Sequence, residues 1–170
     1  MSTMTTRPAG IELADPRVQR AIQLVWHEAE LLDAKDYQAW QELYTPEATY
    51  VIPIDPDTED FASSLNMVYD DDRMRRMRVD RMVQGYSPSA VAAARTVRTV
   101  SRFATTEVTD EWVVLRSAQI VCSYKRNRHE LLGADLTHTI ALAESGDRIA
   151  GKVVRLLNSE DAVNASGFLL

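Results

Sequence analysis

Two periodicities divide the chain. In its first third, Val18, Ile22, Val25, Ala29 and Leu32 recur at three- and four-residue steps, which predicts a helix with one buried face. Asp15 is a natural N-cap and Pro16 a natural first helical residue, so the helix starts sharply there. A second, shorter helix is capped by Asp36, presents Tyr37, Trp40, Leu43 and Tyr44, and ends before Pro46, because helical backbone is disfavoured just ahead of a proline. Residues 48–52 then read as a strand. From residue 97 onward the period drops to two, and four long β-rich runs cover 97–108, 112–124, 130–142 and 149–157. They are separated by Thr109, Asp110 and Glu111, by a basic segment over 125–129, and by Ser145, Gly146 and Asp147, the last a hairpin signal. Trp112, Val114, Ala118, Ile120, Cys122 and Tyr124 share one face of their run, and Leu132, Ala134, Leu136, Ile140 and Leu142 share one face of the next.

Between these regions the chain is acidic and carries Pro53 and Pro56, which predicts a long surface excursion over 53–72. Asp70, Asp71 and Asp72 favour the positive end of a third helix, on which Met74, Met77, Met82 and Val83 supply an apolar stripe for core packing. Residues 1–14 are polar and without period, and read as a loose arm that can drape over a partner; residues 15–170 read as one domain. Helices followed by a meander of long strands predict an α+β architecture, with N-terminal helices packed on a strongly curved, mostly antiparallel sheet.

Composition narrows the possibilities. A chain of 170 residues with 45% hydrophobic and 26% charged residues suits one soluble domain. It contains no apolar run of membrane-spanning or signal-peptide length, so a cytoplasmic location is expected and a membrane is not. The net charge of -6 argues against a nucleic-acid partner. One cysteine, Cys122, rules out an internal disulfide and reads as a small buried apolar side chain. Charge is unevenly spread. Asp55, Asp57, Glu59 and Asp60 cluster, Arg73, Arg75, Arg76, Arg78 and Arg81 follow the three aspartates, and Lys125, Arg126 and Arg128 form a second basic group. The five arginines, with Arg98 and Arg102, are the candidate subunit interface.

Candidate chemistry is sparse. Of three histidines, His129 and His138 stand nine residues apart on one strand, about 30 Å and on opposite faces, so they do not share a metal. The run from His129 to Gly133 begins like a zinc-protease helix but lacks the second histidine. His138 shares parity with Leu136, Ile140 and Leu142 and points inward. An aspartate such as Asp36 beside it would make an acid–base pair, and a stand-alone dehydratase, isomerase or cyclase using Asp36 and His138 is the alternative function. Parity puts Arg98 and Arg102 on one strand face and Arg95 on the other.

The order and spacing of several motifs carry a resemblance over most of the chain. They are Leu31-Leu32-Asp33, then Asp36-Tyr37 with Trp40, Leu43 and Tyr44, then Tyr50-Val51-Ile52-Pro53; the acid-to-arginine helix; Arg95-Thr96 to Ser101; Gly133; and Lys152 to Asn158 before a Phe168-Leu169-Leu170 tail. Together they resemble the small (beta) subunit of Rieske-type aromatic-ring-hydroxylating dioxygenases. The segment between Ser87 and Phe103 departs from the family's usual pattern. The resemblance implies the cone-shaped barrel of nuclear-transport-factor-like and polyketide-cyclase-like proteins. It also implies a non-catalytic structural role, with no catalytic, cofactor or metal residues in this chain. The Rieske 2Fe-2S cluster and mononuclear non-haem iron are then expected in a large (alpha) subunit, in an assembly of three large and three small subunits. Self-association as a trimer is expected too, with NADH-derived electrons arriving through a reductase and often a ferredoxin. A Rieske centre in this chain is excluded by count, since it needs two cysteines.

Overall fold

A computed structural model describes residues 13–84, 94–160 and 168–170. The order is α1 (Pro16–Ala34), α2 (Tyr37–Glu42), β1 (Tyr44–Pro53), β2 (Asn66–Asp70), α3 (Asp72–Val83), β3 (Arg95–Val108), β4 (Trp112–Lys125), β5 (Arg128–Ala141) and β6 (Arg148–Leu156). The Asp15 carboxylate accepts the Arg17 backbone N–H and Pro16 fills the first turn, as the sequence predicts. Helix α1 ends where Lys35 turns left-handed at φ 58°, its N–H returning to the carbonyls of Leu31 and Leu32. Asp36 caps α2 by accepting from the Ala39 N–H at 3.1 Å.

Six strands form one sheet in the order β2-β1-β6-β5-β4-β3. Every neighbouring pair is antiparallel except β1 and β6, which run parallel. Helix α1 lies across β3 and β4, while α2 and α3 sit by β1. The buried stripe of α1, Val18, Ala21, Val25 and Leu32, joins Val113, Leu115, Leu136, Ile140, Ile149 and Val154 in one core, which Phe168, Leu169 and Leu170 complete. The α+β cone expected from the motifs is the fold observed.

Several local expectations are corrected. Helix α2 stops at Glu42, and β1 begins at Tyr44, ahead of Pro46. The proline is tolerated because pairing with β6 is interrupted between Tyr44 and Thr49. The excursion after β1 contains a strand, β2, paired to Tyr50, Val51 and Ile52. The methionine stripe of α3 is not its core face: Met74, Met77 and Val83 are exposed, and Arg75 and Val79 are buried. On β4 the apolar alternation marks the outer side, because the buried positions are Val113, Leu115, Ser117, Gln119, Val121 and Ser123. A bulge between Ser101 and Ala104, with Arg102 at φ 54°, resets the parity of β3. Arg98 therefore points inward, and Arg102 joins Arg95 on the exposed side. The arm over residues 1–14 lies outside the described residues up to residue 12, as does the segment 85–93.

Candidate functional site

The most concentrated chemistry lies inside the cone, around a residue that sits in the middle of the apolar stripe of α1. Glu28 falls between Val25 and Leu32 on that stripe, so the helix that buries them must bury its carboxylate as well. Its Oε1 accepts from Trp40 Nε1, Tyr44 Oη and Lys152 Nζ, each at 2.9 Å, and its Oε2 meets His138 Nε2 at 2.8 Å. Each partner comes from a different element. Trp40 is on α2, Tyr44 opens β1, His138 is on β5, and Lys152 faces inward on β6 directly beside it in register. Lys152 Nζ also donates to the Leu170 main-chain oxygen at 3.0 Å, and Tyr50 Oη donates to the same oxygen at 2.8 Å. Trp40 packs edge-on against both Tyr44 and Tyr50, with centroids 5.0 and 5.6 Å away.

The electrostatics follow from burial. Desolvation opposes ionisation of Glu28, but the Lys152 charge and the hydrogen bonds from His138 and Lys152 outweigh it and hold its carboxyl well below the usual range. Burial pushes both His138 and Lys152 below their ordinary values, with Glu28 pulling the other way. Burial, reinforced by the Glu28 charge, drives the Tyr44 hydroxyl upward. An ionised carboxylate only accepts, so His138 Nε2 carries the proton, and in the neutral ring Nδ1 is left as a buried lone pair without a partner among the described residues. The cluster is a sealed clamp: Glu28, His138 and Lys152 are all at most 2% exposed.

A second clamp adjoins it. Asp33, at the end of α1, accepts from Thr96 Oγ1 at 2.8 Å, Arg98 N at 2.9 Å and Arg98 Nε at 2.8 Å. Arg98 Nη2 reaches the Leu169 carbonyl at 3.1 Å. The two clamps hold α1 and the C-terminal segment against the inner face of the sheet.

These contacts reassign most of the candidate residues. Asp36 is exposed and spends its carboxylate on the α2 cap, so Asp36 and His138 are not a pair; Glu28 holds the place beside His138. Arg75 is fully buried, donating to the carbonyls of Ala48 and Thr45 and lying 4.6 Å above the Tyr44 ring. Arg78 grips the buried Asp70 carboxylate through Nε at 2.6 Å and Nη2 at 3.0 Å. With Arg98 these three work within the chain. Arg73, Arg76, Arg81 and Arg102 remain on the surface, where Arg76 pairs with Asp72 and Arg102 with Asp135. Sequence reasoning missed Glu28. Its signal was a lone acid inside an apolar stripe, together with Lys152 at the same strand parity as Val154 and Leu156.

The donor set fits neither iron centre. Cys122 is the sole cysteine, both Glu28 oxygens are engaged, and the Lys152 ammonium stands where it would repel a cation. Among the described residues, no three His, Cys, Asp or Glu side chains gather into a metal-binding group. Nor, among them, is any helix long and apolar enough to cross a membrane.

Comparison with known proteins matches the chain to a family. The family model of the ring hydroxylating beta subunit fits residues 27–160, a span that runs from the helix bearing Glu28 to the end of the sheet. The chain belongs to that family. It is similar to the 2-halobenzoate 1,2-dioxygenase small subunit of Burkholderia cepacia, 27% identical over 142 residues that cover 81% of this chain and 86% of the relative. Its fold is similar to that of the benzoate 1,2-dioxygenase beta subunit of Burkholderia mallei, with TM-score 0.72 at 19% identity, covering 85% of this chain and 93% of that one. The same fold extends to an NTF2-like protein of Novosphingobium aromaticivorans, with TM-score 0.58 at 13% identity, covering 88% and 86% of the two chains. As a ring-hydroxylating dioxygenase beta subunit, the chain is one component of an oxidoreductase and implies a large alpha subunit as partner.

Proposed function

We propose that this beta subunit is structural and non-catalytic. In this reading it holds together an assembly of three large and three small subunits, in which the large subunits carry the Rieske 2Fe-2S cluster and mononuclear non-haem iron. Electrons from NADH reach them through a reductase, with or without a ferredoxin, and O2 is added to an aromatic ring. The observation that carries the reading is the buried, mutually bonded cluster inside the cone. An enzyme using that space needs an acid–base group open to substrate, whereas here Glu28, His138 and Lys152 are bonded to one another and closed over by the C-terminal segment. Arg73 and Arg81, exposed on α3, are candidate contacts to the large subunit. The similarity to small subunits of halobenzoate and benzoate dioxygenases makes a substituted benzoate the first substrate class to try.

The test is to recover the tagged chain from its own host and to measure native mass, subunit ratio and iron content. A larger, iron-bearing chain in equal number, with turnover lost when that chain's iron is removed, is the expected result. Recovery of this chain alone, with acid–base activity of its own, overturns the proposal.

A further inference from the structure

Between the two clamps the inner face of the sheet carries hydrogen-bonding capacity that the fold does not use. Register fixes where it lies. Leu115 on β4 stands opposite His138 on β5, and the next inner position of β4, Ser117, stands opposite Leu136, so Ser117 is the diagonal neighbour of His138. Gln119, the inner position after that, stands opposite Ala134 on β5 and Val100 on β3. Arg98 is one inner position along β3 from Val100, which makes it the diagonal neighbour of Gln119. His138, Ser117, Gln119 and Arg98 therefore form one line across three strands, about 10 Å from β5 to β3.

All four are buried, and each ends in an atom without a hydrogen-bond partner among the described residues: His138 Nδ1, Ser117 Oγ, Gln119 Nε2 and Arg98 Nη1. A single such atom is ordinary in a folded domain. Four at adjacent positions of one face are not, since each carries a desolvation cost that a paired or apolar group avoids.

The chemistry of the line defines what satisfies it. Glu28 holds the Nε2 proton of His138, so Nδ1 only accepts and its partner must be a donor. The Ser117 hydroxyl both donates and accepts. Gln119 Nε2 and Arg98 Nη1 only donate, so the other end of the line requires an acceptor. Around these groups the inner face is apolar, with Leu115, Leu136, Val100 and Ala134 beside them in the sheet, and Ala29 on α1 between Glu28 and Asp33. Charge is already balanced there, because Lys152 has Glu28 and Arg98 has Asp33, and a further buried anion would go uncompensated.

We infer that this line is a binding site for a small neutral phenol bearing a carbonyl group, whose hydroxyl bridges His138 Nδ1 and Ser117 Oγ and whose carbonyl oxygen accepts from Gln119 Nε2 and Arg98 Nη1. A hydroxyl and a carbonyl at opposite ends of one ring match the order in which the sheet presents its acceptor and its donors. The ligand enters past residues 168–170, where Arg98 Nη2 and Lys152 Nζ hold the main chain. This is binding without turnover, because Nε2 of His138 stays committed to Glu28, and it is independent of the assembly proposed above.

The probe is 4-hydroxyacetophenone, added to the full chain and followed by titration calorimetry and by nitrogen NMR of the histidine rings. It should bind once per chain and move the His138 Nδ1 resonance from that of a free lone pair towards that of a hydrogen-bonded nitrogen, while Nε2 keeps its proton. The analogue 4-methoxyacetophenone lacks the donor and should bind about tenfold more weakly or worse. Gln119→Leu and Ser117→Ala should each lower affinity for the probe about tenfold while leaving Tm unchanged or raised, because an apolar side chain removes an unpartnered buried group. Absence of binding, equal affinity for the methoxy analogue, or a Gln119→Leu chain that loses stability along with affinity overturns the inference. So does an Nδ1 resonance that is already hydrogen-bonded and unmoved by the probe, since internal water then satisfies the line.

Discussion

The inner and outer faces of β4 and β5 each carry residues that run against the usual distribution of polarity. Inside lie Ser117, Gln119, Ser123 and His138, all buried; outside lie Ile120 and Leu131, both exposed. On the inner side Ser117 Oγ, Gln119 Nε2 and His138 Nδ1 have no hydrogen-bond partner among the described residues, and each such group costs about 1–3 kcal/mol of desolvation. A domain selected only to fold alone would carry aliphatics at those positions and polar groups outside. What the inversion teaches is that the inner face is held by directional bonds between specific elements, whereas the outer face contributes its stabilisation only when it is covered.

The sharpest way to break that comparison is Glu28→Ala. It removes the acceptor of four donors and leaves the Lys152 ammonium buried without its carboxylate. Breaking one side of a buried ion pair costs about 3–5 kcal/mol, which for a chain of this length lowers Tm by roughly 6–20 °C. Thermal and urea unfolding measure it. Adding Lys152→Met should recover part of the loss, since the stranded charge is then gone. A Glu28→Ala chain that melts with the wild type would mean that the inner face is not held by this network.

Leu115→Ala tests the apolar part of the same face. Leu115 is fully buried opposite His138, and deleting a buried leucine costs about 2–5 kcal/mol through lost transfer energy and the cavity left behind. A urea titration reads this as a lower midpoint with unchanged slope.

Acidification separates the charged members. His138 is held below its ordinary 6.5 by burial, so the unfolded chain takes up a proton near that pH while the folded chain resists it. Its contribution is complete above pH 6.5 and is lost as pH falls towards the folded value, by at most about 1.4 kcal/mol per pH unit. Glu28, also lowered, from 4.5, adds a second loss that begins only below that value. His138→Gln should therefore flatten the fall in Tm between pH 7 and pH 5 and leave the steeper fall at lower pH. An unaltered profile between pH 7 and pH 5 would show that His138 takes up its proton equally in the folded and unfolded chains, contrary to its burial beside Lys152.

The sequence made the larger elements legible, because their periods run long enough to outvote local noise. Helix α1 and strands β3 to β6 begin and end within about two residues of where alternation places them. Strand β2 was hidden, being five residues within an acidic excursion and partnered only by β1. Period two also cannot say which side of a strand is inside. On β4 the apolar series through Trp112, Ile120 and Tyr124 faces outward, since the register with β5 aligns Leu115, not Val114, with the inward His138. Arg98 and Arg102 were placed together because parity counts residues, and the bulge after Ser101 inserts an extra one. The interior clamp was half readable. Inward parity of His138 was correct, but its partner depends on how α1 crosses the sheet, a tertiary relation that puts Glu28 rather than the nearer-looking Asp36 at its side.

The smallest expected effect bears most directly on the outer face. Leu131 is as large as Leu115 and sits on the neighbouring strand, yet it is mostly exposed. Leu131→Ser should change the stability of the dissociated chain by no more than about 0.5 kcal/mol, since nothing is uncovered that folding had buried. Measured at a concentration where the wild type is associated, the same variant should lower Tm and weaken its dependence on concentration, because binding between folded copies adds to apparent stability by mass action. A large loss in the dissociated chain would mean that Leu131 packs within its own fold, and the inversion between the two faces would lose its outer half. An identical melting curve for variant and wild type in both regimes would mean that the patch is covered by nothing in the isolated subunit.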